Sequence, residues 1–230
     1  MKKNIIFIVF TFLSVVAFSQ TTFRIGGSFP TGKFGDSKYY DGHELSLFAG
    51  EKNYGGAGFG AMLGLQHKFA INNVNGLGVI ISADVIWNPL SKDVREFYED
   101  EVDDDDDFTL PHYFNVPLML GLNYEHSLSS SIAIYGEGAL GLNLGFITGL
   151  SFEESSAEAT VKFDVSTTFA YRLGAGFVFN DKYSIGLSFY NLGTSKVKYE
   201  AEFSENGKSS REKDDLGKLT RSVLALNFGC

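Results

Sequence analysis

Ten carboxylates crowd the stretch from Asp93 to Asp107, and five of them form the unbroken run Asp103, Asp104, Asp105, Asp106 and Asp107. Oxygen clusters of this kind collect hard cations, since calcium takes about six to eight oxygen ligands. An ordered calcium loop alternates its ligands around a glycine that makes the sharp turn, however, and neither that spacing nor any glycine occurs between 93 and 107. The run reads as a solvated acidic loop that binds cations weakly at most. The four histidines, His43, His67, His112 and His126, show no His-x-x-x-His spacing, so no zinc set is expected. His43 with Asp41, Glu44 or Ser46 imitates part of a hydrolase site, but such chemistry needs nucleophile, base and orienter fixed within mutual reach. The glycines of 50–60 lack the lysine of a phosphate-binding loop. Cys230 is the one cysteine, which excludes intramolecular disulfides and zinc or haem sites built on cysteine. No catalytic residue, cofactor or ordered metal site is expected.

The remaining charges sit inside apolar patterning, and that sets what must position them. VKFDVSTTFAYRLGAGFVF, 161–179, is apolar at nearly every second position and polar or small between. A period of two means a strand, because successive side chains point to opposite faces. Strands of globular proteins run about five or six residues, so one this long asks for an apolar medium on one face and a polar one on the other. Eight segments alternate in this way, roughly 22–29, 58–70, 76–88, 112–126, 131–148, 160–179, 183–203 and 218–229. Parity slips near Asn191 to Ser195, where a bulge or the membrane rim is expected.

The connections alternate too. Those at 71–75, 127–131 and 180–182 are short, whereas those at 30–57, 88–111, 149–159 and 204–217 are long and rich in Asp, Glu, Ser and Lys. An up-and-down outer-membrane barrel has this layout, with tight periplasmic turns, long extracellular loops and an even number of strands. Both termini then fall on the periplasmic side. The expected fold is all-β, an eight-stranded antiparallel up-and-down transmembrane β-barrel.

Eight strands leave an interior just wide enough for side chains to fill. Counted from the short turns, Asp84, Glu137, Arg172 and Arg221 reach similar height on the polar parity and are expected to meet as a balanced structural cluster, because an unpaired buried charge is costly. Arg24, Gln66, Lys68 and Glu125 are expected as a second layer nearer the periplasm. Trp87, Tyr113, Tyr124 and Tyr183 fall near strand ends and read as interfacial belt residues.

MKKNIIFIVFTFLSVVAFSQ, 1–20, has the two lysines, apolar run and small closing residues of a secretory signal peptide, cleaved after Ser19 or Gln20. Residues 21–230 then form one domain. The formal charge of -9 argues against nucleic acid as a partner. The 26 glycines, 22 phenylalanines and only four prolines suit long twisted strands with aromatic girdles and not a disordered chain.

HYFNVPLMLGLNYE, YGEGALGLNLG and YRLGAGFVFNDKYSIGLSFYNLG resemble the outer-membrane β-barrel domain family of Bacteroidetes, which includes PorT-like proteins and is similar in architecture to the OmpA and OmpX barrels. The resemblance covers nearly the whole mature chain and implies a lumen-facing proline at Pro117 and no common catalytic activity. It implies outer-membrane lipid, the barrel-assembly machinery and periplasmic or secretion components as partners. The first functional expectation is a non-catalytic structural or interaction barrel with acidic extracellular loops. The alternative is a transport or secretion-accessory barrel, either a narrow pore or a PorT-like component. An enzyme at the rim and a soluble barrel holding a lipid are two further readings, the latter disfavoured because its interior parity would be continuously apolar.

Overall fold

The computed structural model describes residues 20–36, 55–71, 74–101, 107–154, 157–205 and 208–230. The leader, the first-loop residues Asp41, His43, Glu44 and Ser46, and Asp103 to Asp106 lie outside the described residues. The strands are β1 (Gln20–Pro30), β2 (Gly60–Ala70), β3 (Leu77–Asn88), β4 (Asp107–Thr109), β5 (Tyr113–Ser127), β6 (Ile132–Ile147), β7 (Leu150–Glu154), β8 (Ala157–Phe163), β9 (Ser166–Phe179), β10 (Tyr183–Glu205) and β11 (Lys208–Gly229). Eight of them, β1, β2, β3, β5, β6, β9, β10 and β11, pair in that order, each antiparallel to the next, and β11 returns to β1. The sheet is closed, so its lower rim leaves no open edge.

Period-two alternation places the side chains. Phe169 and Leu140 are 62% and 58% exposed on the outer surface, whereas Arg172 and Glu137 are 0% and 8% exposed inside. Each of the eight barrel strands carries exposed apolar side chains, among them Ile25, Leu65, Val85, Leu120, Leu142, Phe177, Leu187 and Phe228.

One end has the short connections. At the β9–β10 turn Asn180 and Asp181 take φ of 51° and 55°, a conformation these two residues tolerate better than most. The chain terminus is tied down at this end by reciprocal bonds between the backbones of Phe23 and Cys230, 2.9 and 3.0 Å long.

The other end departs from the expected plan in three ways. The single strand expected over 160–179 is interrupted at Asp164 and Val165. Below the break β9 pairs with β10 up to Tyr171↔Asn191, and above it β8 resumes with β10 at Phe163↔Tyr199. The cause is in β10, whose register against β11 shifts between Asn191 and Thr194, where Gly193 has φ 83°, and again between Lys196 and Lys198. A bulged strand bends, and its neighbour must break to follow it.

Second, 204–217 is mostly not a free loop. β10 and β11 continue as a paired hairpin to Glu205↔Lys208, and β8, β7 and β4 extend that hairpin sideways into a sheet. Third, the acidic connection 88–111 holds a helix, α1 (Lys92–Glu101), with an Arg95 N–H to Ser91 O bond of 3.0 Å, a Lys92–Glu96 pair at 3.0 Å one turn apart, and Val94 buried beneath it. The stretch that looked uniformly solvated has an anchoring apolar residue in its first turn.

Candidate functional site

Row by row the lumen begins with Arg24 on β1, Gly64 on β2 and Asp84 on β3, which lie in one cross-strand register. A Cβ on Gly64 would stand 1.9 Å from Asp84 Oδ1, so the carboxylate lies across the bare backbone and reaches Arg24 Nη2 at 2.6 Å. Pro117, buried and on the lumen parity, follows on β5. The β3–β5 ladder is unpaired at Asp84 and Val85, between Ala83↔Leu118 and Ile86↔Asn115, where a residue without an N–H has nothing to donate.

Arg172 on β9 closes the ring. Its Nη1 donates to Asp84 Oδ2 at 3.2 Å and to Ser82 Oγ at 3.0 Å, and its Nη2 donates to Gln66 Oε1 at 2.7 Å. Its Nε stands 3.1 Å from Glu137 Oε1 without the alignment of a hydrogen bond. Glu137 also accepts from Gln66 Nε2 at 3.0 Å and lies 3.5 Å from Arg24 Nη1. Tyr190 donates to Asp84 Oδ2 at 3.2 Å, and the Arg172 guanidinium sits 5.7 Å from the centre of its ring. Two guanidinium groups and two carboxylates therefore neutralise one another in a buried cluster, and none of the four is left as an unpaired buried charge, the costly case. Both carboxylates are committed to cations, so neither stands free as a general base.

The sequence-expected cluster is corrected in one member. Asp84, Glu137 and Arg172 lie together, but Arg221 is not with them, and Arg24 and Gln66, assigned to a lower layer, take part instead. Strands of a closed barrel tilt, so equal counts from the strand ends do not mark equal height. Arg221 lies elsewhere: its Nη1 donates to Ser166 Oγ at 2.9 Å and Ser195 Oγ at 3.0 Å, and no carboxylate pairs with it among the described residues.

Below the cluster a polar vestibule of about 370 Å³ opens at the short-turn end, between Arg24 and Glu137 above and Lys182 and Tyr183 at its rim. Lys68 and Glu125 pair across it at 3.0 Å. Above the cluster, amides stack through the upper lumen. Asn88 Nδ2 donates to Ser28 Oγ at 2.8 Å and to Gly58 O at 2.9 Å, and Asn143 Nδ2 to Asn115 Oδ1 at 3.1 Å.

The upper mouth is filled by apolar groups that the alternation did not reveal. Phe34, in a 3-10 turn (Gly32–Phe34), meets Tyr113 edge-on with ring centres 5.1 Å apart, and Ala57, Leu90, Val94 and Ile147 bury against the same cluster. Tyr113 is thus a plug residue, fully buried and donating to Gly55 O, and not part of an interfacial belt. It is on the lumen parity of β5, which was the signal available in the sequence. Tyr124 and Tyr183 point outward and are exposed, and Trp87 stacks on His112 and donates to its Nδ1 at 3.2 Å. His67 contacts Thr21 Oγ1 at 2.9 Å through Nδ1 and packs on Phe69. Among the described residues no group of three or more His, Cys, Asp or Glu could hold a metal ion. Asp107 is the first residue of β4.

Ionic within and apolar without, the molecule belongs by architecture to the closed eight-stranded antiparallel barrels. No protein-family model matches the chain and no curated relative does either. Solved structures similar to it include Neisserial surface protein A, at 12% identity over 91% of this chain and 94% of that one, with a TM-score of 0.43. The outer membrane protein OprG from Pseudomonas aeruginosa is similar at 15% identity over 91% and 93%, with a TM-score of 0.44. A third is Ail, the attachment invasion locus protein of Yersinia pestis, in complex with the heparin analogue sucrose octasulfate, at 16% identity over 92% and 97%, with a TM-score of 0.40.

Proposed function

We propose that the chain is a non-catalytic integral outer-membrane barrel with a structural or interaction role, its lumen closed by side chains. The observation that carries this is the inverted burial, apolar side chains exposed on all eight barrel strands and five charged side chains enclosed. Only helices and closed barrels satisfy their backbone groups in hydrocarbon, and a soluble protein rarely exposes contiguous apolar patches larger than a few hundred Å². A lipid-holding soluble barrel would have the opposite sidedness. Outer-membrane lipid is then the surrounding partner, the barrel-assembly machinery the route of insertion, and a signal peptide over 1–20 the means of export.

The short turns and both strand termini share one end, which in barrels of this type faces the periplasm. The end that carries the long acidic connections accordingly faces outside, where the run of carboxylates in the sequence attracts cations weakly at most. The alternative is a transport or secretion-accessory barrel, a narrow pore or a PorT-like component whose periplasmic partner meets the vestibule, and its ground is the sequence resemblance alone. Heat-modifiable gel migration tests the membrane reading. The folded protein in the membrane fraction is expected to resist detergent until boiled, and a soluble protein whose migration ignores boiling would overturn it.

A further inference from the structure

Where β10 leaves the apolar belt, the outer face of the wall changes abruptly. Below lie Leu187 and Leu224, and Phe169 on β9 and Val165 in the break just before it remain 62% and 59% exposed to a point beside the bulge. Beyond Gly193 the parity of β10 flips, so Val197 and Ala201 turn inward and Lys196 and Lys198 turn outward. Lys218 of β11 is directly opposite Lys196, and Asp215 opposite Lys198. The Asp164 N–H to Lys198 O bond of 3.0 Å holds the exposed Val165 next to these lysines.

Like charges directly opposite on neighbouring strands destabilise a sheet, and the Lys196–Lys218 rung is such a pair. Compensation is partial. Asp215 binds Lys196 at 3.0 Å, and no carboxylate lies within ion-pairing distance of Lys198 or Lys218 among the described residues. Three exposed ammonium groups face two exposed carboxylates, Asp215 and Asp164 beside Lys198, a local excess of positive charge in a chain of net charge -9. Lysines can rest their stems on apolar surface while the charge reaches the polar layer.

We infer that Lys196, Lys198 and Lys218 form a docking surface for the phosphate of an anionic membrane lipid, its acyl chains lying on the adjacent Phe169 and Val165 surface. The occupant is a lipid and not a soluble anion because the cationic patch is continuous with the apolar belt. This rests on the outer-membrane reading given above. Each such lysine strengthens binding to an anionic lipid surface by roughly fivefold, so the three together are expected to contribute about a hundredfold.

The test uses the full protein in nanodiscs of phosphatidylcholine alone and of phosphatidylcholine mixed with phosphatidylglycerol, with retained phosphatidylglycerol counted by native mass spectrometry. Wild type is expected to retain it, and K196Q/K198Q/K218Q to lose about two orders of magnitude of affinity. A control removing the same number of charges at Lys33, Lys92 and Lys213 is expected to keep it. Equal retention by wild type and K196Q/K198Q/K218Q, or equal loss from both triple variants, would overturn the lipid site while leaving the membrane reading intact. Failure of the wild type to enter phosphatidylcholine discs in a heat-modifiable form would overturn that reading as well. Variants are scored only after their own heat-modifiable migration shows them folded, and if the triple variant fails that check, the single K198Q carries the comparison with an expected loss of about fivefold.

Discussion

Arg172 and Arg221 are both buried in the lumen, yet one faces two carboxylates and the other only hydroxyls. The same substitution should therefore act differently at the two positions. Arg172→Met leaves Asp84 and Glu137 to share Arg24, and breaking a buried ion pair costs about 3–5 kcal/mol. Arg221→Met removes a buried cation that no described carboxylate neutralises, and is expected to leave stability unchanged or raise it. Urea unfolding in lipid vesicles, comparing each variant with wild type, reads both. A large loss for Arg221→Met would mean that its hydroxyl bonds to Ser166 and Ser195 outweigh its desolvation. Gly64→Ala belongs with the first group. Its methyl would occupy the place of Asp84 Oδ1, 1.9 Å away, and must push the carboxylate from Arg24, so its loss should shrink when it is combined with Asp84→Asn.

Along the strands, alternation determined more than the connections did. The eight barrel strands and their facing were legible because a period of two with an apolar parity has one reading in lipid. The far side of the hairpin beyond Gly193 was less so, since Arg211 and Lys213 look like loop composition until their pairing with Glu200 and Glu202 across the sheet is seen. Asn191 to Ser195 did announce the bulge, but not its consequence of exchanging the inward and outward faces. The cluster at Asp84 was legible in three of its four charged members, and strand tilt, invisible in a residue count, decided the fourth. The mouth plug was hidden because Phe34, Ala57 and Leu90 lie outside the barrel strands.

The hairpin also has a pH signature. The hydrogen bond and charge of Lys196 hold the Asp215 carboxyl below its ordinary range. A carboxyl lowered in the folded state contributes stability that is present above its unfolded value, about 4, and is lost as pH falls through the lowered value. Wild type should therefore protect the Lys196 to Lys218 rungs from hydrogen exchange better than Asp215→Asn at neutral pH. That advantage should vanish in acid when the two proteins are compared at each pH. A difference that persisted unchanged in acid would remove the ion pair as its cause.

Taken whole, the lumen is blocked twice by unlike materials. At mid-height Arg24, Asp84, Glu137 and Arg172 bridge β1, β3, β6 and β9, so one connected set of side chains spans the barrel from wall to wall. At the upper mouth Phe34, Tyr113, Leu90 and Val94 pack against one another in an apolar cluster. An ion entering from the vestibule meets first a neutral lattice whose hydrogen-bonding groups are mostly engaged with one another, then an apolar plug that offers no replacement for its hydration shell. Purified protein in planar bilayers is accordingly expected to be electrically silent. Because the two barriers are separate, opening one should not suffice: Phe34→Ala with Tyr113→Ala, which thins only the plug, should remain silent behind the ionic lattice. Stepwise conductance in that variant would show that the cluster does not block ions, and conductance in the wild type would favour the transport alternative over a closed barrel.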